Sequence, residues 1–173
     1  MEWQPKTVYV TYIVTTPEKL WTGLTSPEFT RQYFFGARVE SDWKIGSVVK
    51  YWRPDGTLDV QGKVLKCDPP HLLSITWHVE WHEEFRKLPE NLVTFQLDPL
   101  GDVVRLTMTE SHQESIDDKI LEGGRRGWPV ILSSLKTFLE TGHPLPEFDM
   151  SYLMEGVQEA EKALKESKQN KHE

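Results

Sequence analysis

The sequence predicts an α+β fold of about seven strands in a curved antiparallel sheet, with two short helices after the first strand and a long helix after the last. Two adjacent segments, TTPEKLW and TSPEFTRQYF, each place a hydroxyl residue, Pro and Glu in a row, as the starts of helices do. About six strand-like segments then follow one another through turn signals, which favours hairpins over alternating β-α-β units. A long amphipathic segment at residues 123–142 comes next and predicts the final helix of the domain.

The first strand is predicted by the alternation in KTVYVTYIVTT. One side carries Val8, Val10, Tyr12 and Val14, and mostly hydroxyl residues occupy the other. In the two helix starts that follow, Thr16 and Ser26 are the expected N-caps. Pro17 and Pro27 then fall at the first helical position, where a missing N–H costs nothing.

The predicted strands after these helices are separated by Pro, Gly and Asp turns. They are ARVES, SVVKYWR, TLDVQGKVLKC, HLLSITWHVEW, NLVTFQLDP and VVRLTMTESH. In the longest, Leu73, Ile75, Trp77, Val79 and Trp81 share one face. Such an apolar concave face needs a cover.

The final helix supplies that cover and is expected to begin near Gly127, with Trp128 at its N-terminal end and Pro129 in its first turn. Gly142 is placed to end it. Its apolar residues share one face: Trp128, Ile131, Leu132, Leu135, Phe138 and Leu139.

The chain is predicted to hold one domain at residues 1–142, a Pro-containing linker at 143–149 and a helical extension at 150–173 whose polar tail frays past Leu164. In the extension, Leu153, Val157, Ala160 and Leu164 form a narrow apolar stripe. The stripe either packs back on the domain or pairs with another copy, so a homodimer is one expectation.

Composition excludes several classes of function. The net charge of −7 argues against nucleic-acid binding, and no apolar run reaches membrane-spanning length. The start of the chain does not resemble a signal peptide, and Cys67 is the only cysteine, so a cytoplasmic protein without disulfides is expected. No dinucleotide or phosphate-binding loop motif occurs, and no cofactor is expected.

Several stretches together resemble the START-like (SRPBCC, helix-grip, Bet v-like) superfamily, and within it the activator of Hsp-ninety ATPase homologue family. They are TTPEKLWTGLTSPEFTRQYFFG, KVLKCDPPHLLSITW, VVRLTMTESH and RRGWPVILSSLKTFLETG, and together they span roughly residues 7–141, most of the chain. The resemblance implies a seven-stranded antiparallel sheet that grips the long helix, with a cavity between them. Trp128 would then lie where the helix meets the cavity; the alternative is that it plugs a filled core.

The leading expectation is that this cavity binds a hydrophobic or amphipathic small molecule, since relatives in the superfamily carry lipids, hormones or aromatic metabolites. An aromatic share of 11% fits either a ligand pocket or a core. The expected ligand-binding residues are Phe34, Tyr51, Trp77, Trp81, Phe95, Met108, His112, Trp128 and Leu132.

Two other functions stay open. The family name implies a protein-interaction role on a chaperone ATPase, but its known co-chaperones carry an additional N-terminal domain, and only six residues precede the first predicted strand here. Catalysis of the cyclase or hydrolase kind would draw on Glu110, His112, Tyr12 and Tyr51, but no nucleophile motif supports an enzyme.

Two smaller clusters of polar residues could carry chemistry, and ordinary solvated side chains are the alternative for both. His78, Glu80 and His82 alternate along one strand, which is a conceivable metal set, but they fall on the face opposite the apolar one, and no metal site is predicted. Arg125 and Arg126, just before the expected helix start, could bind a ligand carboxylate.

Overall fold

The computed structural model describes residues 2–172, and within them it places one seven-stranded antiparallel sheet and four α-helices. The strands are β1 (Gln4–Val14), β2 (Arg38–Glu40), β3 (Val48–Trp52), β4 (Leu58–Asp68), β5 (Leu72–Val79), β6 (Asn91–Leu100) and β7 (Val103–His112). The helices are α1 (Pro17–Thr25), α2 (Pro27–Tyr33), α3 (Glu122–Thr141) and α4 (Ser151–Gln169). This confirms the predicted α+β helix-grip fold; the predicted outer limits at Met1 and Glu173 lie outside the described residues.

The order of strands across the sheet is β1-β7-β6-β5-β4-β3-β2. The strands β2 to β7 pair with their neighbours in sequence, and the first strand joins the last, so β1 and β2 form the two edges. Helix α3 lies across the concave face, where its buried stripe meets the inward side chains of the strands. Each fully buried aliphatic side chain in this layer contributes roughly 1.5–3 kcal/mol of transfer free energy.

The start of α3 differs from the prediction. The helix begins at Glu122 rather than near Gly127, and Pro129 lies inside it. A proline there removes the hydrogen bond to the carbonyl of Arg125. Local contacts nevertheless support the first turns, since Arg126 Nε donates to Glu122 Oε1 at 2.8 Å. The end of the helix at Gly142 is confirmed, because Gly142 adopts a left-handed φ of 83°.

The edge strand β1 turns its four predicted apolar side chains, Val8, Val10, Tyr12 and Val14, toward solvent, while the alternate residues face α3. Helix α3 covers part of the outer backbone of β1. Lys136 Nζ donates to the carbonyl of Tyr12 at 2.8 Å, and the N–H of Val14 donates to Glu140 Oε1 at 3.3 Å.

Helix α4 packs against α3 through the predicted apolar stripe, so the stripe is covered within the chain and is not free to pair with another copy. Leu153, Ala160 and Leu164 are all buried. The helix also continues past Leu164 to Gln169, where the sequence predicted fraying.

A single arginine joins the two helices. Arg126 Nε donates to Glu122, its Nη1 donates to the carbonyl of Tyr152 at 2.9 Å, and its Nη2 donates to Glu159 at 3.1 Å. Its guanidinium also lies 4.4 Å from the centroid of the Tyr152 ring. Gly156 lets this side chain pass, because a Cβ at that position would lie 2.6 Å from Arg126 Cδ.

Replacing Gly156 with alanine is therefore expected to displace Arg126 and to loosen α4 from α3. We expect the free energy of unfolding to fall by about 1–2 kcal/mol, because the displaced Arg126 contacts outweigh the gain of up to about 1 kcal/mol in helix propensity. Hydrogen exchange should show faster exchange across residues 151–169 than in the rest of the chain. The matched control is Lys162→Ala on the same helix, since the Lys162 side chain is 79% exposed. Unchanged exchange in the glycine variant would contradict the role given to Gly156.

Candidate cavity between the sheet and the helices α3 and α4

A cavity of about 480 Å³ lies between the sheet, the N-terminal half of α3 and α4. This volume falls in the range of small-molecule sites, roughly 300–1,000 Å³. The walls of the cavity are mostly apolar. The lining comprises Phe34, Phe35, Ala37, Arg53, Asp59, Val60, Trp77, His78, Val79, Trp81, Phe85, Leu88, Pro89, Asn91, Glu110, His112, Ile116, Ile120, Leu121, Gly123, Gly124, Gly127, Trp128, Ile131, Met150, Leu153, Met154 and Val157.

The α3 wall of this cavity is built largely from glycine. Gly123, Gly124 and Gly127 line it together with Trp128 and Ile131, and their spacing puts them on one helix face. A Cβ added at Gly127 would meet no atom within 4 Å. Each glycine in a helix costs up to about 1 kcal/mol relative to alanine. The space beside α3 is therefore kept open at a cost in local helix stability.

Three rings of an aromatic cluster, those of Phe34, Trp77 and Trp128, line the inner end of the cavity. The ring of Trp77 lies 5.0 Å from Tyr51, 5.2 Å from Trp128 and 6.0 Å from Phe34, measured between centroids. All four side chains are buried. Trp128 thus belongs to the core cluster and to the cavity wall at once, which combines the two alternatives left open by the sequence.

Five of the nine residues expected to bind a ligand line the cavity: Phe34, Trp77, Trp81, His112 and Trp128. The other four, Tyr51, Phe95, Met108 and Leu132, are buried in the core and do not line it. Their role in ligand binding stays a prediction.

Trp81 reaches the cavity by a different route from the one predicted. The alternation that would place it on the inner face of the sheet stops at Val79, where β5 ends opposite Val60. Beyond that point Trp81 lies at the mouth, 39% exposed, with the Arg53 guanidinium 5.4 Å from its ring centroid.

Glu110 and His112 form a polar pair on β7 that lines the cavity. His112 Nε2 lies 2.8 Å from Glu110 Oε1, and the two side chains are only 12% and 9% exposed, respectively. They are not a solvated strand end, because β7 remains paired with β1 as far as Gln4 opposite His112. On the neighbouring strand, burial and then the charge of Glu110 raise the pKa of the Tyr9 hydroxyl.

A second polar group, Asp59, lies in the cavity lining near Arg53. Burial raises the pKa of the Asp59 carboxyl, and the positive charge of Arg53 partly offsets that effect. Of the two, Arg53 is the one that contacts Trp81 at the mouth.

The two arginines suggested for a ligand carboxylate are used elsewhere. Arg125 donates to Thr7 Oγ1 at 3.2 Å and to Asp118 Oδ1 at 3.1 Å, whereas Arg126 joins α3 to α4. Neither lines the cavity. Both side chains are held by hydroxyl, acidic and carbonyl partners that the sequence alone did not identify.

The conceivable metal set at His78, Glu80 and His82 does not come together. His78 Nδ1 lies 2.6 Å from Glu80 Oε1, whereas His82 Nε2 lies 3.5 Å from Glu161 on α4. Over residues 2–172, no group of three or more His, Cys, Asp or Glu side chains is arranged to hold a metal ion.

Sequence reasoning missed the part that α4 and the β5–β6 connection play in the cavity. Leu153 and Val157 of the predicted stripe line it, together with Phe85 and Leu88 of the connection. An ion pair joins these two walls, because Lys168 of α4 donates to Glu84 at 2.9 Å, and Lys87 within the connection donates to the same carboxylate at 2.9 Å. These bonds lower the pKa of the Glu84 carboxyl to about 2. The stripe spacing was a usable signal, but it did not reveal what the stripe covers.

Comparison with protein families matches residues 14–140 to a family described as Activator of Hsp90 ATPase homolog 1-like protein. This is the family that the sequence motifs resemble. Comparison with curated proteins gives no match. No helix within residues 2–172 is long and apolar enough to cross a membrane.

Several solved structures are similar in fold. CalU16 from Micromonospora echinospora is 22% identical over 91% of this chain and 84% of its own, with a TM-score of 0.63. The Aha1 dimer from Colwellia psychrerythraea is 23% identical over 78% of this chain and 96% of its own, with a TM-score of 0.61. An HSP90 activator from Plasmodium falciparum is 19% identical over 80% of this chain and 96% of its own, with a TM-score of 0.62. At these identities the similarity establishes the fold alone.

Proposed function

The chain belongs to the family of Activator of Hsp90 ATPase homolog 1-like proteins, and from that premise we propose that it binds a small apolar or amphipathic molecule in the cavity between the sheet, α3 and α4. The observation that carries this proposal is the glycine wall. Three glycines line the cavity where alanine would make a more stable helix, and at Gly127 a Cβ would meet no atom within 4 Å, next to the aromatic ring of Trp128. A protein selected only for a filled core has no need of that space.

The chemistry of the lining defines the class of ligand. Trp77, Trp128 and Phe34 offer aromatic surface at the inner end, and Leu153 and Val157 offer aliphatic surface on the α4 side. Polar groups are few, which is typical of sites that bind a mostly apolar molecule and orient it by one or two hydrogen bonds. The lone free thiol of Cys67 is compatible with a reducing compartment such as the cytoplasm.

The proposal predicts that a larger side chain introduced at Gly127 will fill the cavity without disturbing the fold. We expect Gly127→Leu to abolish ligand binding, since the position has no neighbour within 4 Å and leucine is a good helix former. The measurement is thermal shift with native mass spectrometry, against a panel of fatty acids, flavonoids and aromatic acids. A ligand at a hundredfold excess over its Kd should stabilise the wild-type protein by about 3 kcal/mol.

Gly127→Ala is the matched control for this experiment. It adds one methyl group, so it should stabilise the free protein by up to about 1 kcal/mol and weaken binding only in part. Binding to Gly127→Leu as tight as to the wild-type protein would place the ligand outside the cavity. If no panel member binds the wild-type protein, the cavity proposal fails, and the chaperone-type protein partner implied by the family description becomes the leading function.

A further inference from the structure

The cavity contains one polar pair that is nearly as buried as the core. The side chains of Glu110 and His112 are 9% and 12% exposed, and they meet at 2.8 Å between Oε1 and Nε2. The lining that they share includes the rings of Trp77 and Trp128 and the glycines of α3. A buried carboxylate is costly unless hydrogen bonds compensate for its lost hydration.

The second carboxylate oxygen of Glu110 faces the open wall of α3. A Cβ added to Gly124 would lie 3.7 Å from Glu110 Oε2 and 3.7 Å from Trp128 Cδ1. A carboxylate oxygen has room for more than one hydrogen bond, and an ionised carboxylate only accepts. A ligand that enters between Trp128 and the glycines would therefore meet a hydrogen-bond acceptor at this point.

The negative charge and the burial of Glu110 restrict the chemical class of ligand that can bind beside it. A ligand carboxylate would be repelled by Glu110, and a ligand ammonium would lose far more hydration free energy than a neutral group on entering an apolar cavity. A neutral hydroxyl satisfies the carboxylate at the lowest desolvation cost. The nearby aromatic rings favour an aromatic body for the same molecule.

We propose that Glu110, positioned by His112, is the polar anchor of the cavity, and that the ligand class is an aromatic alcohol or phenol whose hydroxyl donates to Glu110. This inference rests on the proposed function and adds to it the polarity and orientation of the ligand. The aromatic end lies against Trp77 and Trp128, and the hydroxyl points toward β7.

The test compares two probes of nearly equal shape, 2-naphthol and 2-methylnaphthalene, by titration calorimetry on the full chain. We expect Glu110→Gln to weaken 2-naphthol by about fivefold to tenfold, because a charged acceptor becomes a neutral one, and to leave 2-methylnaphthalene within about twofold. His112→Gln should weaken 2-naphthol selectively as well, and it provides a second variant if Glu110→Gln folds poorly.

Glu80→Gln is the matched control. Glu80 also pairs with a histidine two residues away, at 2.6 Å from His78, but it does not line the cavity. It should leave the affinity for both probes unchanged. Equal weakening of both probes in Glu110→Gln, or no weakening of either, would overturn the anchor while the cavity proposal stands. Failure of the wild-type protein to bind either probe would overturn the cavity as an aromatic-ligand site and the anchor with it.

Discussion

Gly62→Ala is expected to lower the free energy of unfolding by more than about 3 kcal/mol. Gly62 lies in β4, beside Thr76 of β5. A Cβ there would lie 1.6 Å from the carbonyl oxygen of Thr76 and 2.5 Å from its carbonyl carbon. Backbone atoms cannot rotate aside as a side chain can, so the two strands must separate.

The same point of the sheet holds a hydrogen bond that such a separation would break. The N–H of Lys63 donates to Thr76 Oγ1 at 2.8 Å, so a side-chain hydroxyl takes part in the contact between β4 and β5. Loss of this hydrogen bond would leave the Lys63 N–H without its partner, and this cost adds to that of the steric clash.

Urea denaturation measures this effect directly. The control is Gly127→Ala, at a position with no neighbour within 4 Å, where stability should rise rather than fall. A loss below about 1 kcal/mol for Gly62→Ala would mean that β4 and β5 are not as close at this point as the structure has them.

Trp77→Ala is the second large effect, with an expected loss of about 3–5 kcal/mol. Trp77 is 6% exposed and packs among Tyr51, Trp128 and Phe34. Removing the indole leaves a void that joins the existing cavity, and the surrounding rings lose their packing partner.

Trp81→Ala is the matched control for Trp77→Ala, because it removes the same side chain from the mouth of the cavity. Trp81 is 39% exposed, and its loss should cost less than about 1 kcal/mol. Denaturant titration of both variants gives the comparison. Similar losses would show that the Trp77 cluster is loosely packed. If only Trp77→Ala loses several kcal/mol of stability, truncating the cluster disturbs the fold as well as the cavity. Gly127→Leu is then the better variant for testing ligand binding.

Local sequence signals predicted most of the fold because hairpins and helix starts depend on nearby residues. Thr16 caps α1 as predicted, accepting a hydrogen bond from the N–H of Lys19 at 3.2 Å. Ser26 precedes α2 as predicted, but its hydroxyl donates to Glu28 instead of capping the backbone. In both cases the Pro at the next position fixes where the helix begins.

The errors arose where contacts distant in sequence decide the structure. Pro129 indicated a helix start near Gly127, but the pairing of Arg126 with Glu122 and α4 supports the helix across the glycines. Trp81 follows the alternation of β5, yet the loss of pairing beyond Val79 places it at the mouth. The periodicity of a sequence predicts a strand or helix, but it does not predict where the neighbouring strand stops pairing with it.

The cavity was predictable only in part for the same reason. The inward Trp77 and the helix residue Trp128 follow from strand and helix periodicity. The contribution of α4 depends on where a helix after a Pro-containing linker comes to rest, and Leu153 alone does not determine that. The Glu110–His112 pair was visible as an alternation at a strand end, but its burial depends on the pairing of β7 with β1.

The hydrogen bonds from α3 to the outer backbone of β1 have a consequence for self-association. A foreign strand that approached this edge would find the Tyr12 carbonyl and the Val14 N–H already occupied by Lys136 and Glu140. It would have to displace a charged pair from each molecule before a ladder could extend. The C-terminal end of β1 can therefore expose Val14 to solvent and still resist the addition of a further strand, which is the first step of edge-to-edge aggregation.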